Sequence, residues 1–245
     1  MHPILIRYPI IIRSWSLTFI LAVILSTFLF VAKGKKRGEN PLFLWNFSFC
    51  LIILGVVGAR IFHVVLYPSF YHSVKDIIWN GGLILHGGLG LSLIIGLVWL
   101  KLSKRSFWKT TTIVAPYLAL GISIARIGCF FNGCCYGIPC RFGFIFPENS
   151  PAGYAFPNQP LFPTQLVSSI DLFLIFLLLT KYEKKFSPFS LLWFFLFYSI
   201  HRFLIEFLRG DYPKIVFYLT FPQIISIGIA AISGFLFCYY KEREI

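Results

Sequence analysis

The stretch SWSLTFILAVILSTFLFVA, residues 14–32, decides the fold. It is almost entirely apolar, carries no charged side chain, and is followed at once by the basic segment KGKKR, residues 33–37. A transmembrane helix needs about 20 predominantly apolar residues, so this stretch is long enough to span a bilayer. It is too long for a cleavable signal peptide and lacks a small-residue cleavage site. We therefore predict that it forms a first transmembrane helix.

The composition of the whole chain supports a membrane protein. Of the 245 residues, 58% are hydrophobic and only 13% are charged. An ordinary soluble domain is about 25% charged, so this chain has too few charges to cover a surface that faces water. The composition therefore excludes a soluble globular enzyme, and the high apolar content excludes an intrinsically disordered chain.

Hydropathy predicts an all-α integral membrane protein of about seven transmembrane helices, forming a single domain over residues 1–245. The predicted spans are residues 14–32, 42–67, 83–100, 110–131, 163–180, 189–207 and 215–240. The longest connection, at about residues 133–162, is rich in Gly, Pro, Cys and Phe. Loops of that length without evident secondary structure are usually functional, so we expect this loop to carry part of a site.

Basic residues predict the orientation of the chain in the membrane. They cluster in every second connection and at the C-terminus, at Lys33, Lys35, Lys36, Arg37, Lys101, Lys104, Arg105, Lys109, Lys181, Lys184, Lys185, Lys241 and Arg243. Positively charged loops stay in the cytoplasm, which places the N-terminus outside, the C-terminus inside and the long loop in an extracytoplasmic position. The net charge of +13 then reflects orientation and contact with anionic membrane lipids, and no nucleic-acid partner is expected.

Four arginines, Arg60, Arg126, Arg202 and Arg209, fall near the predicted outer ends of their spans. A charged side chain at mid-bilayer costs about 2.5–3.5 kcal/mol, so such residues usually face a cavity or a partner. Four arginines at one depth predict an anion site, because the guanidinium fork donates hydrogen bonds to phosphate in pairs. Glu206, four residues after Arg202, can pair with it on one helix face, and a purely structural ion pair is the alternative.

His86 and two groups of glycines are further candidates. His86 lies in NGGLILHGGLG, residues 80–90, and could relay a proton near neutral pH, although packing is the alternative role. The glycines around it fit close helix packing and a functional role equally well. Later glycines run past the fourth span into the long loop, where they permit turns and leave backbone N–H groups for an anion, at Gly128, Gly133, Gly137 and Gly143. Four other polar residues are interpreted as ordinary helix-end or loop residues, namely Glu39, His63, Asp76 and Asp171.

Cysteines accompany the second glycine group. Cys129, Cys134, Cys135 and Cys140 have the spacing C-x4-CC-x4-C, which differs from the CxxC spacing typical of zinc sites. We rank packing as small residues near Arg126 first, an outer disulfide second and a metal site third. The spacing therefore predicts no metal site.

Four separate stretches resemble the family of bacterial prolipoprotein diacylglyceryl transferases. They are GARIFHVVLY at 58–67, WNGGLILHGGL at 79–89, ARIGCFFNGCCYGIP at 125–139 and RFLIEFLRGD at 202–211, with a shorter fifth, PTQL, at 163–166. The resemblance implies a seven-span inner-membrane transferase whose N-terminus lies outside. Such enzymes move the diacylglyceryl group of phosphatidylglycerol to the thiol of a lipobox cysteine in a prolipoprotein. The products are a thioether and glycerol phosphate, and no cofactor is implied.

The resemblance also implies roles for individual residues. The family's catalytic positions correspond here to His86, Arg126, Arg202 and Glu206. Its phosphatidylglycerol-binding positions correspond to Arg126, Arg60, Asn132, Gly137, Arg202 and Arg209.

The chain departs from the family pattern at Ser16, Asn80 and Phe162, among other positions. These departures favour an alternative in which the chain is a catalytically silent lipid-binding or scaffold protein of the same fold. Retention of the complete set of catalytic positions favours the enzyme. A small transporter or channel is the third hypothesis, and the chain has no inverted repeat to support it.

Overall fold

Helices form most of the described part of the protein. The structure, a computed structural model, describes residues 4–6, 12–71, 73–79, 85–211, 214–216 and 218–243. In chain order the α-helices are α1 Ser14–Lys36, α2 Pro41–Leu66, α3 Val74–Trp79, α4 Leu85–Leu102, α5 Phe107–Asn132, α6 Pro151–Ala155, α7 Thr164–Lys181, α8 Glu183–Phe186, α9 Ser190–Ile205 and α10 Phe221–Arg243. Short 3-10 turns lie at Pro68–Phe70 and Glu206–Leu208. The strands are β1 Ile4–Ile6, β2 Ile12–Arg13, β3 Pro139–Ile145, β4 Pro160–Leu161, β5 Lys214–Val216 and β6 Leu219–Thr220.

Six helices in the described ranges are long and apolar enough to cross a membrane. They are α1, α2, α5, α7, α9 with its 3-10 extension, and α10. The third predicted span, residues 83–100, corresponds to α4, in which Gly90–Leu102 forms a shorter apolar helix. Residues 80–84, which include the start of that predicted span, lie outside the described residues. The all-α integral membrane fold is thus confirmed, whereas the orientation in the membrane stays a prediction.

Local signals explain where the helices begin and end. The Asn40 side chain caps α2 by accepting hydrogen bonds from the backbone N–H groups of Leu42 and Phe43, at 2.9 and 3.4 Å. Helix α1 runs past the predicted span 14–32 because its last turn carries Lys33, Lys35 and Lys36. Positive side chains there interact favourably with the carbonyl end of the helix dipole. Hydropathy finds the apolar part of a helix and leaves out a polar last turn of this kind.

The chain divides into two compact units, one of Val31–Thr110 and one of Met1–Phe30 with Thr111–Ile245. In the first unit, α2 and α4 pack closely at glycines. A Cβ atom on Gly58 would lie 2.6 Å from the carbonyl oxygen of Gly87, and one on Gly88 would lie 2.5 Å from the carbonyl oxygen of Gly55. This proximity supports the packing interpretation for the glycines at 87 and 88.

In the second unit, α5, α7 and α9 share an apolar core. The core includes Ala115, Ala119, Leu172, Leu179 and Phe194. Two buried serines also exchange hydrogen bonds between α5 and α7. The Ser123 hydroxyl donates to the Ser169 carbonyl at 2.7 Å, and the Ser169 hydroxyl donates to the Ser123 carbonyl at 2.9 Å. This pair fixes the axial position of α5 one turn before Arg126.

The long connection at residues 133–162 contains more regular structure than its sequence indicated. Strand β3 pairs antiparallel with β4, and α6 lies between them in the chain. A small apolar cluster of Phe130, Phe146, Ala152 and Leu161 holds this segment against the end of α5. The seventh predicted span also begins late, at Phe221, because β5 and β6 form a hairpin before it.

Candidate active site

Three of the four predicted arginines lie together in the second unit. Arg126 is near the C-terminal end of α5, Arg202 is in the last turn of α9, and Arg209 follows the 3-10 turn after α9. Each guanidinium lies within electrostatic reach of the others. The structure therefore brings together a dense positive charge near the ends of α5 and α9. Arg60 belongs to the first unit, so its predicted convergence with these three stays untested.

Glu206 joins two of these arginines. Its carboxylate is fully buried, and its Oε2 atom lies 2.9 Å from Nη1 of Arg202 and 3.8 Å from Nε of Arg209. The pair with Arg202 is the predicted contact across four residues. Arg209 reaches the same carboxylate because α9 gives way at Glu206 to a 3-10 turn, which has three residues per turn.

A polar group at the start of α10 supports Glu206 from the other side. The Thr220 hydroxyl donates to Oε1 of Glu206 at 3.0 Å. The side chain of Gln223 accepts from the Thr220 backbone N–H at 2.9 Å and donates to the Phe203 carbonyl at 3.3 Å. Sequence reasoning missed both residues, although TFPQ at 220–223 is the T-x-x-Q pattern of a capping box.

Arg209 is held by a second carboxylate and by the long connection. Its Nε and Nη2 atoms donate to the two oxygens of Asp211 at 2.8 and 2.5 Å. Burial works against the charge, but the hydrogen bonds that Arg209 donates to Asp211, with the nearby charges of Cys135, Asp211 and Glu206, raise the pKa of Arg209 above its usual range. Arg209 is therefore a fixed, permanent positive charge at this site.

Gly137 is the point where the long connection meets the end of α9. Gly137 and Arg209 form an antiparallel bridge, with the Ile138 N–H donating to the Leu208 carbonyl at 3.0 Å. A Cβ atom at position 137 would lie 2.4 Å from the Phe162 carbonyl oxygen and 2.9 Å from that of Leu208. Only glycine fits between these two backbones, which explains the residue at this predicted binding position.

Arg126 has an unused hydrogen-bond donor. Its Nη1 atom donates to the Cys135 sulfur at 3.7 Å, whereas its Nε atom is buried and has no hydrogen-bond partner among the described residues. A buried donor without a partner costs about 1–3 kcal/mol. Such a cost is recovered when a ligand oxygen occupies the position, so Arg126 has the character of an anion-binding residue. Asn132, the last residue of α5, interacts with the Cys134 thiol.

Three of the four cysteines of the C-x4-CC-x4-C motif converge beside Arg126. The Sγ atoms of Cys129, Cys134 and Cys135 all lie within 4.8 Å of one another, and the three thiols are free. Hydrogen bonds with the other two thiols, together with the positive charges of Arg209 and Arg126, lower the pKa of the Cys135 thiol below its usual range. The spacing gave no indication of this convergence.

The comparison with known proteins identifies the family. The chain matches the sequence model described as "Prolipoprotein diacylglyceryl transferase" over residues 3–239. The chain belongs to this family. It is 35% identical over 235 residues to the phosphatidylglycerol–prolipoprotein diacylglyceryl transferase 2 of Clostridium perfringens, covering 92% of this chain and 89% of that protein.

Two further relatives carry the name phosphatidylglycerol–prolipoprotein diacylglyceryl transferase. The protein from Clostridium tetani is 32% identical over 259 residues and covers 100% of both chains. The protein from Bacillus licheniformis is 30% identical over 249 residues, covering 97% of this chain and 92% of its own. The resemblance found from four short motifs thus extends along the whole length of a transferase of this family.

Two of the predicted site residues of this transferase lie in its first unit. Arg60 donates from Nε to the Ile77 carbonyl at 2.7 Å and from Nη2 to the Asp76 carbonyl at 3.1 Å. Its guanidinium also lies over the ring of Tyr71, 5.1 Å from the ring centre. His86 is in the first turn of α4, but its side chain lies outside the described residues, so its predicted role as a base stays a prediction.

One polar pair of the transferase was missed from the sequence. The Nδ1 atom of His201 in α9 lies 2.9 Å from the Oδ2 atom of Asp171 in α7. Asp171 was interpreted as a helix-end or loop residue, but it lies in the interior of α7. Thirty positions separate the two residues, so only the packing of α7 on α9 brings them together.

Proposed function

We propose that this chain transfers the diacylglyceryl group of phosphatidylglycerol to the thiol of the lipobox cysteine of prolipoproteins. The products are a thioether-linked lipid and glycerol phosphate, and the reaction is the first step of bacterial lipoprotein maturation. The observation that carries the proposal is the buried Nε donor of Arg126, for which the described part of the chain offers no acceptor, within the electrostatic field of Arg202 and Arg209.

The charges at the site suit a phosphodiester. Arg202 and Arg209 pair with two carboxylates, those of Glu206 and Asp211. Together with Arg126, these groups carry a net charge of about +1. The phosphate of phosphatidylglycerol carries a single negative charge, so the lipid completes a neutral assembly. Arginine suits this task because it keeps its charge when water is removed and donates in pairs to phosphate oxygens.

The proposed reaction joins sulfur to a glycerol carbon. The acceptor sulfur attacks that carbon, the bond from the carbon to the phosphate oxygen breaks, and the electron pair stays on the phosphate oxygen. Arg126 and Arg202 bind the phosphate and stabilise the charge that grows on it in the transition state. His86 accepts the proton of the thiol.

Glu206 is proposed to aim Arg202 at the phosphate. Its buried carboxylate fixes the guanidinium of Arg202 at 2.9 Å and is itself fixed by Thr220. Asn132, at the end of α5, is proposed to contact the lipid headgroup. Gly137 contributes to the site by letting the long connection pack against the backbone that carries Arg209. Arg60, whose guanidinium already donates to two carbonyls, makes a smaller contribution to lipid binding.

The function is tested by complementation of a bacterium depleted of its own transferase. A reporter lipoprotein is analysed by mass spectrometry for the added diacylglyceryl group. We expect the wild-type chain and the Arg141→Ala variant to restore the modification, because Arg141 is exposed in β3. The Arg126→Ala variant should not restore it at equal expression. An unmodified reporter with well-expressed wild-type chain would instead support the silent scaffold.

The proposed setting is the inner membrane of a bacterial cell, with the N-terminus outside and the C-terminus in the cytoplasm. The alternation of basic connections supports this topology. Reporter fusions after Lys36, Lys104, Lys184 and Ile245 should all report a cytoplasmic position, and a fusion after Asn158 an external one. A cytoplasmic signal at Asn158 would contradict the topology.

A further inference from the structure

The cluster of Cys129, Cys134 and Cys135 has the geometry of a metal site. Tetrahedral zinc binds thiolate sulfur at about 2.3 Å, which places neighbouring sulfur atoms about 3.8 Å apart. The three Sγ atoms already lie within 4.8 Å of one another. Side-chain adjustments of about 1 Å therefore suffice to place all three around one zinc ion.

The backbone of this segment is folded in a way that creates the cluster. Gly133 and Cys135 both have left-handed backbone angles, with φ of +72° and +57°. The Cys134 N–H returns to the Cys129 carbonyl at 3.2 Å, which turns the chain back over the end of α5. A left-handed angle is unfavourable for a residue other than glycine, and such strain persists where the surroundings enforce it, often at functional sites.

Two buried side chains of α7 fix the backbone that carries these thiols. The Thr164 hydroxyl donates to the Cys135 carbonyl at 2.7 Å, and the Gln165 side chain donates to the Cys134 carbonyl at 2.8 Å. Both side chains are about 1% exposed. Supporting hydrogen bonds of this kind orient the ligands of metal sites in proteins. The backbone that carries the Cys134 and Cys135 thiols is therefore held in place by α7.

We propose that Cys129, Cys134 and Cys135 bind one Zn²⁺ ion whose fourth position takes the acceptor thiol of the prolipoprotein. The inference rests on the proposed function and deepens it. Zinc held by three protein ligands keeps an open position for a substrate, as in catalytic zinc sites. Three thiolates and one Zn²⁺ carry a net charge of −1, and the Nη1 atom of Arg126 lies 3.7 Å from the Cys135 sulfur.

Zinc would activate the nucleophile of the transfer, which is the acceptor thiol. The acceptor thiol binds the ion as a thiolate and releases its proton to the base or to water. Its sulfur then forms a bond to the glycerol carbon while the bond from that carbon to the phosphate oxygen breaks. The electron pair stays on the phosphate oxygen beside Arg126, and the thioether, a neutral and weaker ligand, leaves the zinc.

The cysteine spacing predicts no metal site, but the folded chain brings three of the thiols together for a physical reason. The spacing C-x4-CC describes distance along the chain, whereas the left-handed angles at Gly133 and Cys135 set the distance in space. The fourth cysteine of the motif, Cys140, lies in β3 and is no part of the cluster. It provides a matched control for the other three.

The test measures metal and ligation separately from transfer. Purified protein in detergent is analysed for zinc by mass spectrometry of the elements, then stripped with a chelator and reloaded with Co²⁺. We expect about one zinc per chain in the wild type and in Cys140→Ser, and its loss in Cys134→Ser and Cys135→Ser. The cobalt protein should show sulfur-to-metal absorption that shifts on addition of a lipobox peptide, and not with the peptide whose cysteine is serine.

The outcomes separate the metal site, the ligation of the acceptor thiol and the proposed function. Wild-type protein that takes up no Zn²⁺ or Co²⁺, or Cys134→Ser and Cys135→Ser variants that bind as much as wild type, would overturn the metal site. A cobalt spectrum that the peptide leaves unchanged would overturn the thiol ligation. Full transfer by the stripped protein would overturn the inference and leave the proposed function standing. Peptide ligation without transfer of lipid would support the metal site and contradict the proposed function. Equal thermal unfolding of the variants in detergent excludes misfolding as the cause of lost metal.

Discussion

Arg60 and Arg126 occupy equivalent places in two helices and have different surroundings. Each lies six residues before the end of its helix, Arg60 in α2, which ends at Leu66, and Arg126 in α5, which ends at Asn132. Arg60 donates to the carbonyls of Asp76 and Ile77. Arg126 keeps a buried Nε donor that makes no hydrogen bond within the ranges that the structure describes. Arg60 therefore binds the backbone of the connection that follows α2, whereas the Nε donor of Arg126 is available to a ligand.

The largest expected loss of diacylglyceryl transfer comes from removing the guanidinium of Arg126. Arg126→Ala should reduce diacylglyceryl transfer by about 100-fold or more, the size seen when one stabilising donor is removed from a transition state. Arg126→Lys keeps the charge and loses the fork, so transfer should still fall more than ~10-fold, or about 1.4 kcal/mol. Both values come from kcat/KM measured on purified protein in lipid–detergent micelles.

Arg60→Ala is the matched control for Arg126→Ala. It removes hydrogen bonds to two carbonyls, so we expect thermal stability to fall while transfer per folded molecule changes by less than ~10-fold. If Arg60→Ala reduced transfer as strongly as Arg126→Ala at equal folded fraction, the two regions would not differ in the way proposed. Unchanged transfer in Arg126→Ala would remove Arg126 from the mechanism.

Replacing the buried carboxylate of Glu206 should have the next largest effect. Leaving one partner of a buried ion pair alone costs about 3–5 kcal/mol, and Glu206 serves both Arg202 and Arg209. If Glu206 only offsets charge, Glu206→Gln should lower thermal stability and the double change Arg202→Gln/Glu206→Gln should restore it. If Glu206 aims Arg202, Glu206→Gln should lower turnover while folding holds, and the double variant should stay inactive.

We expect the second outcome, because Thr220 and Arg209 also hold Glu206. Thermal unfolding and lipid transfer are measured on the same four proteins, namely the wild type, both single variants and the double variant. A double variant that is stable and active would contradict the aiming role and favour the silent scaffold.

In the first unit, steric change where α2 and α4 pack together should lower stability. Gly88→Ala places a Cβ atom 2.5 Å from the backbone carbonyl oxygen of Gly55, and overpacking of this kind costs about 1–3 kcal/mol. Gly90→Ala is its control, because nothing lies within 4 Å of a Cβ atom there. We expect a lower unfolding temperature for Gly88→Ala and an unchanged one for Gly90→Ala. Equal unfolding temperatures would mean that close packing of α2 and α4 is not what the glycine at 88 provides.

Features that depend on neighbours in the sequence could be predicted from it. Hydropathy located the long helices to within about six residues at each end, because a run of apolar side chains is a local property. The Arg202–Glu206 pair followed from the four-residue period of a helix and is present in the structure. The contact of Arg209 with the same carboxylate also needed the 3-10 turn at Glu206, which the helical pattern does not indicate.

Features that depend on distant parts of the chain could not be predicted in this way. The pair of Asp171 and His201 exists only because α7 packs on α9. The pairing of β3 with β4 has no periodic signal, because β4 has only two residues. The convergence of the cysteines depends on a left-handed angle at Cys135, a residue type that rarely adopts it. The four motifs identified the family although these contacts were not predicted. A motif gives the identity and spacing of its residues and does not give their contacts with distant parts of the chain.

The smallest expected effect concerns Thr220, which holds the carboxylate that in turn holds Arg202. Thr220→Val keeps the shape of the side chain and removes the hydroxyl that donates to Oε1 of Glu206 at 3.0 Å. A hydrogen bond to a charged group contributes about 1.5–3 kcal/mol. This bond acts on the phosphate only through Glu206 and Arg202, so we expect part of that energy to reach the transition state and transfer to fall by about 2–10-fold. Thr220→Ser keeps the hydroxyl and should retain most of the activity.

The decisive measurement for Thr220→Val is how the loss of transfer divides between kcat and KM. A hydrogen bond that aims Arg202 at charge developing in the transition state should lower kcat and leave KM nearly unchanged. A bond that only stabilises the start of α10 should lower the unfolding temperature and leave both kinetic constants of the folded protein as they were. That second pattern would separate the polar group of α10 from catalysis and confine the ligand-directed region to Arg126, Arg202, Glu206 and Arg209.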